Sequence, residues 1–223
     1  MDFTAKFLKA VFSSFKENAF SIFAIWDRIL SIMICILISF GFVWYCLRYT
    51  IPEEMALRHK VVSTAETYLG RNEADHSHQQ IIDRYNAHLP RARGYEVTYS
   101  DSWCAVFGSA VAMELGLTEI IPAECSCEQQ ISLFSASGSW MEQDGYLPKA
   151  GDYIFYDWNY ATTKDSKGWS DHVGIVVRTI GPVIQVIEGN KEDDVSYRYI
   201  FMNDPTIRGF GLPDYGRFCF FSP

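Results

Sequence analysis

From Ile29 to Leu47 the chain runs through nineteen residues without a charge. As a helix that run would be about 28 Å long, close to the roughly 30 Å hydrocarbon core of a bilayer. Before it, Phe3, Phe7, Val11 and Phe15 recur every fourth position, with Leu8 and Phe12 beside them and Lys6, Lys9 and Lys16 elsewhere. That spacing predicts an amphipathic helix on a membrane surface. Pro52 is expected to end the membrane helix. Beyond it, Val61, Val62, Ala65, Tyr68 and Leu69 predict a helix stopped by Gly70, and Gln79 to His88 a second one closed by Pro90. Cys104 to Leu115 is the most apolar helical stretch, ended by Gly116, and Cys127 to Ser135 suits a further helix. After Pro148 the pattern changes. Asp152–Trp158, Val173–Arg178, Val183–Ile187 and Arg217–Phe221 are rich in β-branched and aromatic residues with Gly and Pro between them, and predict strands. Helices followed by an antiparallel sheet is the α+β plan.

These patterns divide the chain into a cytoplasmic segment 1–28, a membrane anchor 29–49, a linker 50–60 and a globular domain 61–223. A cleaved signal peptide fits less well. Twenty-eight residues precede the apolar run, and Trp44-Tyr45-Cys46-Leu47-Arg48-Tyr49 follows like an interfacial belt in place of a small-residue cleavage site. Lys6, Lys9, Lys16 and Arg28 before the run, against Arg48, Arg58 and Lys60 after it, predict a cytoplasmic N-terminus and an extracytoplasmic domain. The net charge of -8 is uneven: residues 1–49 carry +2 and residues 50–223 carry -10. An acidic domain lacks the electrostatic footprint of a nucleic-acid binder and would be repelled by anionic wall polymers.

Candidate chemistry lies in segments that occur in a fixed order: Ser102-Trp103-Cys104-Ala105-Val106-Phe107, Asp171-His172-Val173-Gly174-Ile175-Val176, and Val186-Ile187-Glu188-Gly189-Asn190. Asp101 or Ser102 can cap the helix that carries Cys104, leaving its sulfur in the first turn, where unpaired N–H groups and the helix dipole favour a thiolate. His172 opens a strand whose partner follows the Ile180-Gly181-Pro182 turn. Folding that hairpin about residue 180 sets His172 opposite Glu188, and folding it about residue 181 sets it opposite Asn190. Either register puts both on the His172 face, whereas a one-step slip would put them on the other. A thiol, an imidazole and an orienting carboxylate or amide are the parts of a thiol hydrolase. The backbone N–H of Cys104 is expected to serve the oxyanion, with Tyr99 a further donor. Asp171 is expected to point away from His172. Of the six cysteines, Cys104 must stay free to act, and Cys125-x-Cys127 reads as structural because its spacing does not suit zinc. Asp75-His76-Ser77-His78 is too sparse to predict a metal.

The same segments, with His78-Gln79-Gln80-Ile81-Ile82-Asp83-Arg84-Tyr85-Asn86 and Pro148-Lys149-Ala150-Gly151-Asp152-Tyr153-Ile154-Phe155-Tyr156-Asp157-Trp158, resemble the cysteine- and histidine-dependent amidohydrolases/peptidases, or CHAP domains, from about Val61 onward. The resemblance implies a papain-like fold and a peptidoglycan amidase or endopeptidase. It implies that Cys104, His172, Glu188 and Asn190 are the catalytic set, that wall peptides are the partner and that no cofactor is required. Tyr99, Trp103, Asp157, Trp158 and Asp171 are then expected around the substrate. The aspartate-rich calcium loop of some CHAP domains is not carried over, since Gly94 to Trp103 holds only Glu96 and Asp101 as carboxylates. A small γ-glutamyl or glutathionyl amide is the alternative substrate, and a catalytically silent wall-binding scaffold the alternative of another class.

Overall fold

A computed structural model describes residues 26–45, 48, 51–143, 145–158 and 169–221. The amphipathic pattern of residues 3–15, Cys46 and the side chain of Cys219 lie outside what is described. Helix α1, Trp26–Tyr45, has a mean hydropathy of 2.0 and is long and apolar enough to cross a membrane. It belongs to a unit that ends at Pro52, and Glu53–Pro223 forms another.

The larger unit is built from α2 (Ile51–Glu66), α3 (Gln79–Ala87), α4 (Cys104–Glu114), α5 (Cys127–Ala136) and α6 (Tyr215–Phe221). Its strands are β1 (Trp140–Glu142), β2 (Tyr153–Tyr156), β3 (His172–Ile180), β4 (Val183–Lys191), β5 (Asp194–Phe201) and β6 (Ile207–Gly211), in a sheet ordered β1-β6-β2-β3-β4-β5. Every neighbouring pair is antiparallel. The fold is therefore α+β, as the periodicity predicts.

Helix α4 is buried along its length from Cys104 to Ala112, as a helix apolar all round must be. It joins a core with Tyr153 and Phe155 of β2, Val173 and Ile175 of β3, and Ile187 of β4. The alternate positions Ile154, Tyr156, Val176, Val186 and Ile200 form a second cluster with Ile207 and Phe210. Glycines around α4 permit close approach. A Cβ on Gly108 would come 2.7 Å from Tyr153 Cε1, and one on Gly189 would collide with Phe107 and Trp103. At the other end of β2, buried Asp152 accepts from Arg58 Nη1, Tyr146 Oη and the Lys149 N–H, each at 2.8 Å. Asp152 is thus a structural strand-end carboxylate.

Some expected elements differ. Pro52 does not end the membrane helix; it stands in the first turn of α2, where its missing N–H has no helical partner to lose. Arg217–Phe221 is not a strand. The Asp214 side chain accepts the Arg217 N–H at 2.9 Å, and this cap starts α6 instead. Strands β1, β5 and β6 carry no strong strand signal: β1 is short, β6 is split by glycines, and β5 mixes Asp194, Ser196 and Arg198 into its run.

Candidate active site

Cys104 is the first residue of α4, with Trp103 at the capping position and no side-chain cap. The expected caps are otherwise engaged or unused. Asp101 turns back to accept the Thr98 N–H at 2.7 Å and the Tyr95 hydroxyl at 2.9 Å. That turn leaves the α4 N–H groups unclaimed by a capping side chain, directed toward the sulfur's end of the helix.

His172 is the first residue of β3, and its Nε2 faces Glu188 Oε2 at 3.2 Å. With Nε2 engaged, Nδ1 is the ring nitrogen left for the thiol. Glu188 is fully buried in β4 and accepts from Arg198 Nε of β5 through both oxygens, at 2.8 and 2.9 Å. Arg198 in turn lies over the Trp158 ring, 4.9 Å from its centroid, and Trp158 stacks on Tyr156 at 4.7 Å. The order is a thiol, an imidazole, a carboxylate and a guanidinium, backed by an aromatic wall.

Register brings these groups together by a correction within the hairpin. Beside the turn, β3 and β4 pair as Ile180↔Val183, Thr179↔Ile184 and Arg178↔Gln185. Past an irregularity they pair as Val176↔Val186 and Ile175↔Ile187. The first register, extended, would send Glu188 to the wrong face. The extra residue, Val177, shifts it by one, and the shifted register points His172 and Glu188 to the same side. At Gly174 the fit is close: a Cβ there would lie 2.7 Å from Glu188 Cγ.

Electrostatics agree with this geometry. The Cys104 thiol is held well below its usual range, first by a hydrogen bond from Cys127, then against burial by His172 and the backbone N–H of Val173. Burial would lower the His172 pKa, but the Cys104 thiolate and Glu188 raise it to about 9. Glu188 is pulled down despite burial by His172 and Arg198. The site therefore favours a thiolate beside an imidazolium.

Of the residues expected here, Cys104, His172 and Glu188 come together. Asn190 does not share that arrangement. It sits in an irregular stretch of β4 with φ at 57°, and no hydrogen bond joins it to His172 among the described residues. Of the two, Glu188 is the one in hydrogen-bond contact with His172. Trp103 is fully buried, donates from Nε1 to Glu73 at 2.9 Å and packs on His78, so it has no exposed surface to offer a substrate. The Tyr99 hydroxyl is committed to Asp83 at 2.7 Å, which removes it as an oxyanion donor. Asp171 is exposed and accepts the Trp158 N–H at 3.0 Å. Asp157 is buried, its N–H bonded to Thr206 O. Trp158 is half-exposed near the His172 ring, and exposed Asp171 lies close enough to Cys127 to raise its pKa. His78 is buried between the carbonyls of Asn72 and Tyr99. No group of His, Cys, Asp and Glu suited to a metal occurs among the described residues.

Cys127, read as structural, belongs to the site. Its sulfur is 3.6 Å from that of Cys104. Two cysteines that each open a helical stretch were the available signal. A groove of about 450 Å³ is lined by Arg93, Tyr95, Val97, Asp101, Ser102 and Cys125, the last two each two residues before one of the thiols.

No protein-family model and no curated protein matches the chain. The solved structure "The crystal structure of Ly7917" is similar with a TM-score of 0.35 and 14% identity, over 61% of this chain. The chain spans 62% of the length of that structure's chain, and so slight a likeness carries no argument.

Proposed function

We propose that residues 61–223 form a papain-like, CHAP-type cysteine amidase or endopeptidase that cleaves amide bonds in peptidoglycan peptides, tethered to the outer face of a membrane by α1. The observation that carries this reading is the Cys104–His172–Glu188 set, with the thiol pKa depressed and that of the imidazole raised. The Cys104 thiolate attacks the amide carbonyl, and the Cys104 N–H stabilises the oxyanion. His172 gives its proton to the departing amine, leaving an acyl-enzyme, and then takes a proton from the water that releases the acyl group. Glu188, fixed by Arg198, holds the ring through both transfers. This chemistry calls for no cofactor. The wall as substrate rests on the CHAP resemblance, supported by an apolar anchor that would hold an acidic domain near a polymer that repels it.

Full-length protein in detergent should release peptide fragments from purified peptidoglycan, and mass analysis of their new ends distinguishes amidase from endopeptidase. Cys104→Ala should release none; release at the wild-type rate would overturn the assignment. Topology is tested separately in intact cells. A membrane-impermeant label should reach the domain's exposed lysines while a tag at Met1 stays protected.

A further inference from the structure

The proposed hydrolysis needs one thiol, yet a second is fixed beside it by buried polar groups that the reaction does not use. Cys127 is the first residue of α5 as Cys104 is of α4, so two helix N-termini meet at the thiol pair. Ser109 Oγ of α4 donates to Glu124 O at 2.7 Å and accepts the Glu124 N–H at 2.9 Å. Gln130 Nε2 of α5 reaches back to Ser109 Oγ at 3.1 Å and Ala105 O at 3.3 Å. The Glu124 carboxylate, itself held by Arg93 at 2.7 Å, accepts the N–H groups of Cys125 and Ser126 at 2.7 and 3.1 Å. Ser109, Glu124 and Gln130 are all buried. Together they bolt the start of α5 to α4, which fixes the distance between the sulfurs. Buried networks of this kind restrict the arrangement because most alternatives strand further polar groups, although Gln130 Oε1 already has no partner among the described residues.

We infer that Cys104 and Cys127 form a modification site for hydroperoxides, closing to an intramolecular disulfide that removes the nucleophile reversibly. The sulfurs, 3.6 Å apart, need approach by only about 1.5 Å to reach bonding distance, a movement within the reach of side-chain rotation. The Cys104 thiolate attacks one peroxide oxygen, breaking the O–O bond; Cys104 becomes a sulfenic acid and hydroxide leaves. The Cys127 sulfur then attacks the sulfenic sulfur. The S–S bond forms, the S–O bond breaks, and the oxygen departs with the Cys127 proton as water. The two sulfurs together lose two electrons, and the peroxide gains them. Asymmetry between the thiols suits the roles. Cys104 is held as the thiolate, while Cys127 is pushed well above its usual range by its hydrogen bond to Cys104 and by burial. The Cys104 thiolate therefore reacts first, and Cys127 keeps the proton that the second step releases. Cys125, next in chain but facing Arg93 Nη2 at 3.3 Å, is an internal control. That the link silences hydrolysis rests on the function proposed above; the link itself rests only on geometry.

Full-length protein in detergent, reduced and then freed of reductant, is exposed to graded hydrogen peroxide, alkylated after denaturation, and mapped by mass. The expected product is a peptide pair joined through Cys104 and Cys127, lighter by two hydrogens, that appears before any Cys104 sulfinic acid and disappears with dithiothreitol. Wild-type protein whose Cys104 accumulates as sulfinic acid, or links to Cys125, overturns the proposal. In Cys127→Ser, Cys104 should pass to the sulfinic acid, and dithiothreitol should no longer restore it. If that variant fails to fold, the wild-type map decides alone. Hydrolysis measured on the same samples should fall with the linked fraction and return on reduction, and hydrolysis that survives full linkage overturns the silencing. A link in protein that hydrolyses nothing even when reduced sinks the hydrolase reading and leaves the modification site standing.

Discussion

Arg198 donates from Nε to both carboxylate oxygens of Glu188, at 2.8 and 2.9 Å, from the strand next to the one that carries Glu188. Glu188 is wholly buried, and a carboxylate in such a place is tolerated only with partners on both sides. Here His172 holds one side and Arg198 the other. The guanidinium therefore does more than hold the sheet edge: it keeps Glu188 ionised so that Glu188 can orient the imidazole.

Removing Arg198 should be costly. Arg198→Met leaves the buried carboxylate without its guanidinium partner, and should lower the free energy of unfolding at neutral pH by about 3 kcal/mol, read from urea transitions. The Glu188 pKa is depressed below 4.5 in the folded protein. Its stabilisation is accordingly present above 4.5 and lost as the pH falls through the folded value. The difference between wild type and Arg198→Met should shrink over that acid range. A constant difference at every pH would mean that Arg198 acts by packing on Trp158 and not by charge.

Glu188→Gln tests the next link. The His172 pKa is raised from 6.5 to about 9, so the stabilisation its charge supplies is complete below 6.5 and lost as the pH rises through 9. The thiolate–imidazolium pair disappears over the same alkaline limb. Wild-type kcat/KM should fall with an apparent pKa near 9. In Glu188→Gln that limb should move toward lower pH, with some activity retained, because the ring loses a negative partner but keeps its place beside Cys104. An unmoved limb would remove Glu188 from the proton chemistry.

Cys127 acts on the same thiol directly, its sulfur 3.6 Å away. Its hydrogen bond is the largest of the influences that hold the Cys104 pKa down. Cys127→Ala should therefore shift the pH profile of Cys104 alkylation by iodoacetamide toward higher pH and slow the reaction several-fold in mildly acidic buffer. Circular dichroism would confirm that the fold is kept. An unchanged profile would show that His172 alone sets the thiolate.

The elements that present Cys104 and His172 were legible because each has a local cause. An apolar helix started at Cys104, and β-branched residues after His172 made a strand. The approach of His172 to Glu188 was legible only as one of several registers, because the extra residue at Val177 leaves no mark in the hairpin's own sequence. Asn190 was expected beside Glu188 by strict alternation, and the irregular backbone of β4 breaks that alternation. Arg198 was missed with β5 itself. Cys127 was missed because its meeting with Cys104 depends on how α5 docks on α4, which Ser109, Glu124 and Gln130 decide from positions scattered along the chain.

Gly174 offers the sharpest test of that geometry, since it lies in the strand of His172 and beneath the side chain of Glu188. A Cβ at this position would come 2.5 Å from Val186 Cγ1 and 2.7 Å from Glu188 Cγ. Gly174→Ala must push either the second core cluster or the carboxylate. Overpacking of this kind costs about 1–3 kcal/mol, so the urea midpoint should fall while the domain still folds. Of the two neighbours, Glu188 is the one the chemistry depends on, and moving it away from His172 lowers the imidazole's pKa as Glu188→Gln does. The variant should therefore combine a loss of stability with an alkaline limb displaced in the same direction as in Glu188→Gln. The double variant should displace the limb little further, because both changes remove one interaction. Wild-type stability together with a wild-type pH profile would show that β3 and β4 are farther apart at Gly174 than this register allows.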